Sequence, residues 1–379
     1  MLENSSFYQL LQDPKLDKRD NRGKRHSLAP ILFGVIMSVV TGRDHSTASL
    51  YRYLQNNHKK ICAALDLPDC PVISRAQLPL VLAKVDKKCF AQLCQKHFGQ
   101  KAKLEAFFRD WYAGDGKELC GTIEQGQKRG VAIVQVVSQK DQQIIAQDFY
   151  QGNKESEIVS MRDLLADLGL KDSGISLDAL HCNPETLSAI ESSRNAYVVG
   201  LKGNQSVLLT EMVSESLVSE PYCSLETTEV GHGRKERRQY QVFDISEVEI
   251  DARWSSCNVS SLLVVDRLRE EIKSGKVSNE RSYYLSNLGY QDNQEASELF
   301  DAIRGHWSVE SVNWTRDVCL GEDAHRSGKF EVSAVLAICR SIGLNLLRAL
   351  KPKSLMGKID EFKDNIRSLL NACKTVNLL

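Results

Sequence analysis

Between Trp111 and Leu201 the sequence alternates in a way that few folds accommodate. A first run, Trp111 to Gly114, leads into Asp115-Gly116, a turn signal. Ala132–Ser138 and Gln143–Phe149 are rich in strand-forming residues and are parted by a polar turn at Lys140-Asp141. Glu155–Leu168 then places Ile158, Met161, Leu164, Leu165 and Leu168 on one helical stripe. Ile175–Leu180 reads as a short strand, Pro184–Ser193 as a helix with proline near its start, and Tyr197–Leu201 as a buried strand. The order is β-β-β-α-β-α-β. Adjacent strands pair as a meander, whereas strands parted by helices run parallel.

The expected fold class is α/β, with a ribonuclease-H-like catalytic domain. Residues 1–107 read as a helical N-terminal region. Within it Leu28–Val40 is apolar, with Ser27 as a plausible N-cap, but shorter than the roughly 20 residues that span a bilayer, so a buried helix is expected. Thr47–Gln55, Gln77–Gln92 and Ala91–Phe108 carry further helical patterns. Residues 108–204 form the first part of the core, and 205–290 a β-rich insertion with strands at Tyr240–Phe243, Ser261–Val265 and Tyr283–Leu285. Residues 291–350 return to the core as helices (Gln294–Arg304, Val309–Leu320, Val332–Leu350), and 351–379 read as a weakly amphipathic tail.

Composition narrows the class. Lys plus Arg number 49 and Asp plus Glu 49, with 42% apolar residues, which excludes a disordered chain and a histone-like one. It does not exclude a nucleic-acid partner, because what matters there is where the charge sits. Eleven cysteines without C-x-x-C or zinc spacing suit a reducing compartment. Met1 to Asp13 lacks the basic and apolar regions of a signal peptide. A cytoplasmic protein with no membrane partner is expected.

Phosphate-loop, dinucleotide, zinc-protease and serine-hydrolase motifs are absent from the sequence. What remains are carboxylates at strand ends and on a late helix. Asp115 closes the first expected strand, and Asp178 sits near the end of the fourth, in ISLDALH. First and fourth strands are neighbours in the expected sheet, and two adjacent carboxylates call for a hard divalent cation. Glu310 shares a polar helical face with His306, Asn313 and Asp317, while Trp307, Ser311, Trp314 and Val318 form the face expected to be buried. Each residue alone has a plainer reading. An Asp-Gly pair is ordinarily a turn, Glu310 could be a solvated helix residue, and His181 is more often a local hydrogen-bonder than a ligand. Asp178, in an apolar run, is the stronger candidate because an unpaired buried carboxylate is costly.

At these residues the chain resembles insertion-sequence transposases of the DDE superfamily, in the family that includes the H-repeat-associated proteins. DPKLDKRDNRGKRHSLAPIL, DGKELCGT, DALHCNPETLSAI with AYVVGLKGNQ, GHGRKERR, and HWSVE with RDVCLGEDAHR match in order, covering about 13 to 350. The resemblance implies a ribonuclease-H-like fold interrupted by a β insertion, and a metal-binding catalytic triad at Asp115, Asp178 and Glu310. It implies two Mg²⁺ (or Mn²⁺) ions, cleavage of double-stranded element-end DNA, strand transfer into target DNA, and a homodimer on DNA. Two departures are visible. Cys120 stands where the family has Arg, and the stretch from Glu310 to Arg316-Asp317-Val318 is one residue shorter. They motivate an alternative, a catalytically decayed transposase-derived DNA-binding protein. An ordinary ribonuclease-H-like nuclease is a third reading.

DNA contacts are expected at two basic segments. Residues 15–26 hold six basic residues against two acidic ones, among them Arg22, Lys24 and Arg25. Residues 231–238 hold four against one, including Arg234 and Arg238 beside His232. Lys202, just past a strand, and Lys117, in the first-aspartate motif, complete the set. A solvated charged face is the plainer reading of either cluster. Trp307 and Trp314 are expected in the core.

Overall fold

Strand pairing decides the architecture. The computed structural model describes residues 5–68, 71–99, 109–123, 126, 129–151, 154–289, 293–325 and 330–379. The expected boundaries at 107/108 and 290/291, the end of the helical pattern Ala91–Phe108, and Arg326 of the last matched motif lie outside the described residues. The chain is mixed α/β, with nine strands in one sheet of order β3-β2-β1-β4-β5-β9-β8-β7-β6. These are β1 (Trp111–Glu118), β2 (Val131–Ser138), β3 (Ile144–Gln151), β4 (Gly174–Leu177), β5 (Ala196–Leu201), β6 (Cys223–Gly231), β7 (Arg234–Asp244), β8 (Ser261–Glu271) and β9 (Val277–Ser286). β1 pairs β4 and β4 pairs β5 in parallel, while β2–β3 and every pair from β5 to β6 are antiparallel. The expected first-to-fourth strand pairing is thus found.

The chain divides into two compact units, residues 1–106, 116–160 and 308–379 in one, and 107–115 and 161–307 in the other. The first holds α1 (Phe7–Leu10), α2 (Leu28–Val40), α3 (Thr47–Ala64), α4 (Gln77–Leu82) and α5 (Lys87–Gly99). It also holds most of α10 (Trp307–Val318), with α11 (Phe330–Ala349), α12 (Leu355–Asp364) and α13 (Ile366–Thr375). The apolar run Leu28–Val40 is the expected buried helix, packed on α11. Helix α11 is long and apolar enough to cross a bilayer, yet 89% of its apolar window is buried inside the protein. Two of its polar residues are matched to β3, the strand at one end of the sheet order. Asn345 accepts from Ile144 N at 2.8 Å and donates to Ile144 O at 2.8 Å, and the Ser341 hydroxyl donates to Gln147 Oε1 at 2.6 Å. A side-chain amide here satisfies edge backbone that a leucine would leave orphaned.

The second unit centres on β4, β5 and β6–β9. Its helices are α7 (Pro184–Ser192), α8 (Ser206–Val218) and α9 (Asn293–Gly305); α6 (Lys154–Leu168) runs across the division. Ala296, Leu299, Phe300 and Ile303 of α9 follow the spacing of one helical face and pack on Val198, Tyr240, Val242, Leu263 and Val265. Three expectations need correction. Gln77–Gln92 is not one helix: it breaks between Leu82 and Lys87, where Val85 bridges to Asp17. The insertion, read as mostly β, carries helix α8 ahead of its strands, and its strands begin at β6, before Tyr240. The tail is two helices, because the Asn365 side chain accepts from Arg367 N and Ser368 N and starts α13 afresh.

Arg340 and Asp44 form a buried ion pair in the first unit, at 3% side-chain exposure each. Replacing Arg340 with Met leaves a buried carboxylate without its cation, so urea unfolding should show a loss of about 3–5 kcal/mol.

Candidate functional site

Asp115 and Asp178 belong to the second unit. The parallel ladder of β1 and β4 ends at Gly114↔Leu177, and the next residue in the chain after each of these two is an aspartate. Neighbouring strands lie about 4.8 Å apart. Close packing beneath requires the glycine: a Cβ on Gly114 would stand 2.7 Å from Leu177 Cδ2 and 3.0 Å from the Met161 sulfur. Asp115-Gly116 is not a turn, contrary to its sequence signal. β1 runs on to Glu118, and Gly116 has no room for a Cβ, which would fall 2.4 Å from the Glu157 carboxylate.

Asp178 lies outside β4, which stops at Leu177 rather than Leu180. Its Oδ1 accepts from Leu180 N at 3.0 Å and caps a 3-10 turn over Ala179–His181. The side chain is 48% exposed, so the premise of a buried carboxylate fails. The fully buried His181 places Nε2 3.9 Å from Asp178 Oδ1. Two residues earlier the Ser176 hydroxyl contacts His306 Nδ1 at 3.0 Å and Tyr112 O at 3.4 Å. If the hydroxyl donates to Tyr112, His306 carries its proton on Nδ1 and donates to Ser176. Burial pushes the His306 imidazole below its ordinary range against the opposing pull of Asp178, which favours the neutral ring.

Residues missed by sequence reasoning hold the Asp178 turn in place. Asn204 donates to Ala179 O at 2.7 Å, and Gln205 donates to Cys182 O at 2.8 Å. The signal was present, since both belong to the matched string AYVVGLKGNQ, in which only Lys202 drew attention. Lys202 itself is exposed at the end of β5.

Glu310 belongs to the first unit, exposed in the first turn of α10. The buried face of this helix is Ser308, Val309, Val312, Thr315 and Arg316. Trp307 and Trp314 are 56% and 60% exposed, not core. The inward face is partly polar because it meets a network. Arg316, 0% exposed, donates from Nε and Nη2 to the Glu322 carboxylate at 2.9 and 2.7 Å and from Nη1 to Gln135 Oε1 at 3.0 Å. Gln135 in turn donates to Asn313. Lys117 Nζ lies 2.7 Å from Asp317 Oδ1. Burial works to raise the Glu322 carboxyl, but Arg316, Arg340 and Lys117 together outweigh it and hold it below its usual range. Burial raises Asp317 despite Lys117. Cys120, the departure in the first motif, is exposed.

The DNA candidates differ in environment. Arg22, Lys24 and Arg25 are exposed, Lys24 standing 4.0 Å from Asp17. His232 and Gly233 have positive φ, 51° and 74°, and form the tip of the β6–β7 hairpin. Buried Glu236 is ringed by Arg234 at 2.8 Å, Arg269 at 3.1 Å and Arg238, and Glu229 takes Arg238 at 3.0 Å and Arg304. Four guanidiniums thus face two carboxylates.

Asp115, within β1, and Asp178, just past β4, carry hard oxygen donors of the kind that suit a divalent cation. Among the described residues no group of three or more His, Cys, Asp or Glu is gathered to hold a metal.

No family model matches the chain. Putative transposase YncI of Escherichia coli O157:H7 is 26% identical over 346 residues, 88% of this chain and 85% of that one. H repeat-associated putative transposase YhhI of Escherichia coli (strain K12) is 27% identical over 247 residues, 63% of this chain and 64% of that protein. A cryo-EM structure of a piggyBac transposase synaptic complex with hairpin DNA covers 98% of this chain and 80% of its own at 11% identity, with a TM-score of 0.48, too low to transfer anything from it. These relatives, at 26–27% identity, support a transposase family that includes the H-repeat-associated proteins.

A carboxyl held below its unfolded value contributes stability above about pH 4.3 and loses it as pH falls through the folded value. Glu322→Gln should therefore cost about 3 kcal/mol at pH 7, and the gap to wild type should close as pH falls below about 4, read from urea midpoints across a pH series.

Proposed function

We propose that this chain is a DDE-type DNA transposase on a ribonuclease-H-like core, divided at 1–107, 108–204, 205–290, 291–350 and 351–379. It cuts element-end DNA and joins 3′-hydroxyls to target DNA, as a homodimer on DNA, in the cytoplasm. The observation that supports this reading is the β1–β4 register, whose last parallel pair, Gly114↔Leu177, comes one residue before Asp115 and one residue before Asp178. Glu310, in the HWSVE string that resembles the family's glutamate block, would supply the third carboxylate. Asp115, Asp178 and Glu310 would hold two Mg²⁺ or Mn²⁺ ions. Such ions, when bound, activate a water or a 3′-hydroxyl and stabilise the leaving oxygen.

The protein's own part is placement. The caps on Leu180 N, and the Asn204 and Gln205 bonds, fix the turn that carries Asp178. Neutral His306 adds no cation beside the aspartates. Phosphates are taken by exposed Arg22, Lys24, Arg25 and Lys202, by His232 at the hairpin tip, and by the Arg234/Arg238 cluster, whose arginines outnumber its acids.

The test is Mg²⁺-dependent nicking of element-end duplex by the full chain. Asp115→Asn, Asp178→Asn and Glu310→Gln should each lower the rate about 10³-fold, since metal-borne charge stabilisation is worth several kcal/mol. DNA affinity should stay within a few-fold of wild type. Full nicking by Asp178→Asn would sink the assignment. Salt-dependent binding without cleavage by the wild-type chain would leave the decayed DNA-binding protein in its place.

A further inference from the structure

Lys117 follows Asp115 by two residues, and the sequence alone offers it as a DNA contact. Its ammonium does not face solvent. The side chain is 8% exposed, and Nζ lies 2.7 Å from Asp317 Oδ1, 3.5 Å from Glu322 Oε2 and 3.8 Å from Asp323 Oδ1. Three carboxylates surround a group with three donors and a single charge. Glu322 is itself 2% exposed. Pulling Lys117 out to a phosphate would strip a cation from the buried Glu322 and from half-buried Asp317 and Asp323, and one ion pair made in water does not offset that loss.

The contacts of Lys117 join those of Gln135 and Arg316. Helix α10 is bound to β1 through Lys117 and Asp317. It is bound to β2 through Gln135, which contacts both Asn313 and Arg316, and to the following turn through Arg316 and Glu322. All of these groups belong to one compact unit. Asp317 is about two helical turns beyond Glu310 on the same helix.

We infer that Lys117 is a positioning residue that fixes helix α10, and with it Glu310, on the strand that carries Asp115, and that it makes no contact with DNA phosphate. This rests on the reading of Glu310 as the third metal-binding carboxylate. A residue that orients ligands from behind typically changes metal affinity by about 10–100-fold when removed.

The experiment uses the full chain as wild type, Lys117→Met, Asp317→Asn, the double variant, and Asp178→Asn. Binding to a DNA duplex is measured in EDTA across a salt series. Lys117→Met should keep the wild-type slope of log affinity against log salt. A slope smaller by about one would mark a lost phosphate contact and overturn the inference. Mn²⁺ binding to the DNA-free protein is then followed by electron paramagnetic resonance. Lys117→Met and Asp317→Asn should each weaken it about tenfold, and the double variant no more than either single one. Unchanged Mn²⁺ affinity in both, or additive losses, would overturn it. Should Lys117→Met fail to fold, Asp317→Asn carries the same two readouts. The two failures separate through Asp178→Asn. If that variant binds Mn²⁺ like wild type, the triad reading has failed. If it loses Mn²⁺ while the Lys117 and Asp317 variants do not, only the positioning role has.

Discussion

A guanidinium that is fully buried must be answered on every side, and Arg316 sets what surrounds it. Glu322 returns its charge, and Gln135 accepts its remaining edge. Gln135 is the one polar residue in the buried run Val131–Val137, where a strand made for burial would carry a branched apolar side chain. Its other end is committed to Asn313, so the amide cannot turn over without losing both bonds. Getting Glu322 under the helix needs a sharp reversal directly after it, which Gly321 provides with φ at 61°. Lys117 then neutralises the acids gathered around that turn. Arg316 thus governs the sequence of β2, α10 and the turn that follows.

That network explains why strand order was legible and the face of α10 was not. Helices α6, α7 and α9 follow local periodicity because each buries one apolar stripe, whereas β2, β4, β5 and α11 are buried on both faces and read as largely continuous apolar runs. In α10 the tryptophans weigh heavily in any apolar count and drew the inward face toward Trp307, Trp314 and Val318. The actual inward face mixes Val309 and Val312 with Thr315 and Arg316, whose partner Gln135 is 181 residues away. No window along the chain contains both ends of that bond. The same limit hid the roles of Asn204 and Gln205, which act on a turn 25 and 23 residues earlier.

The balance of charge has a local explanation as well. The basic run 231–238 looks free in the sequence because its acids arrive from elsewhere: Glu226 and Glu229 on β6, with Arg269 of β8 adding a further claim on Glu236. β-pairing converts a basic cluster into a ladder of ion pairs with a residual positive charge. The segment 15–26 keeps more of its charge. Arg19 is taken by Asp17 and Lys18 by Asp86, while Arg22 and Arg25 stay exposed. Counting bases within a window therefore overstates the first cluster and describes the second more fairly.

Asp178 carries the sharpest lesson about the candidate site. The case for it from sequence was the cost of burying a carboxylate in an apolar run. In the structure that cost is never incurred. The aspartate ends the strand by capping Leu180 N, and the chain turns away, leaving the carboxylate half in solvent. Taken alone this is an ordinary capping residue. What distinguishes it is the strand beside it. The parallel register ends at Gly114↔Leu177, one residue before Asp115 on one side and one residue before Asp178 on the other. The residue identified from burial is supported instead by register, an argument that needs the pairing of two strands 63 residues apart.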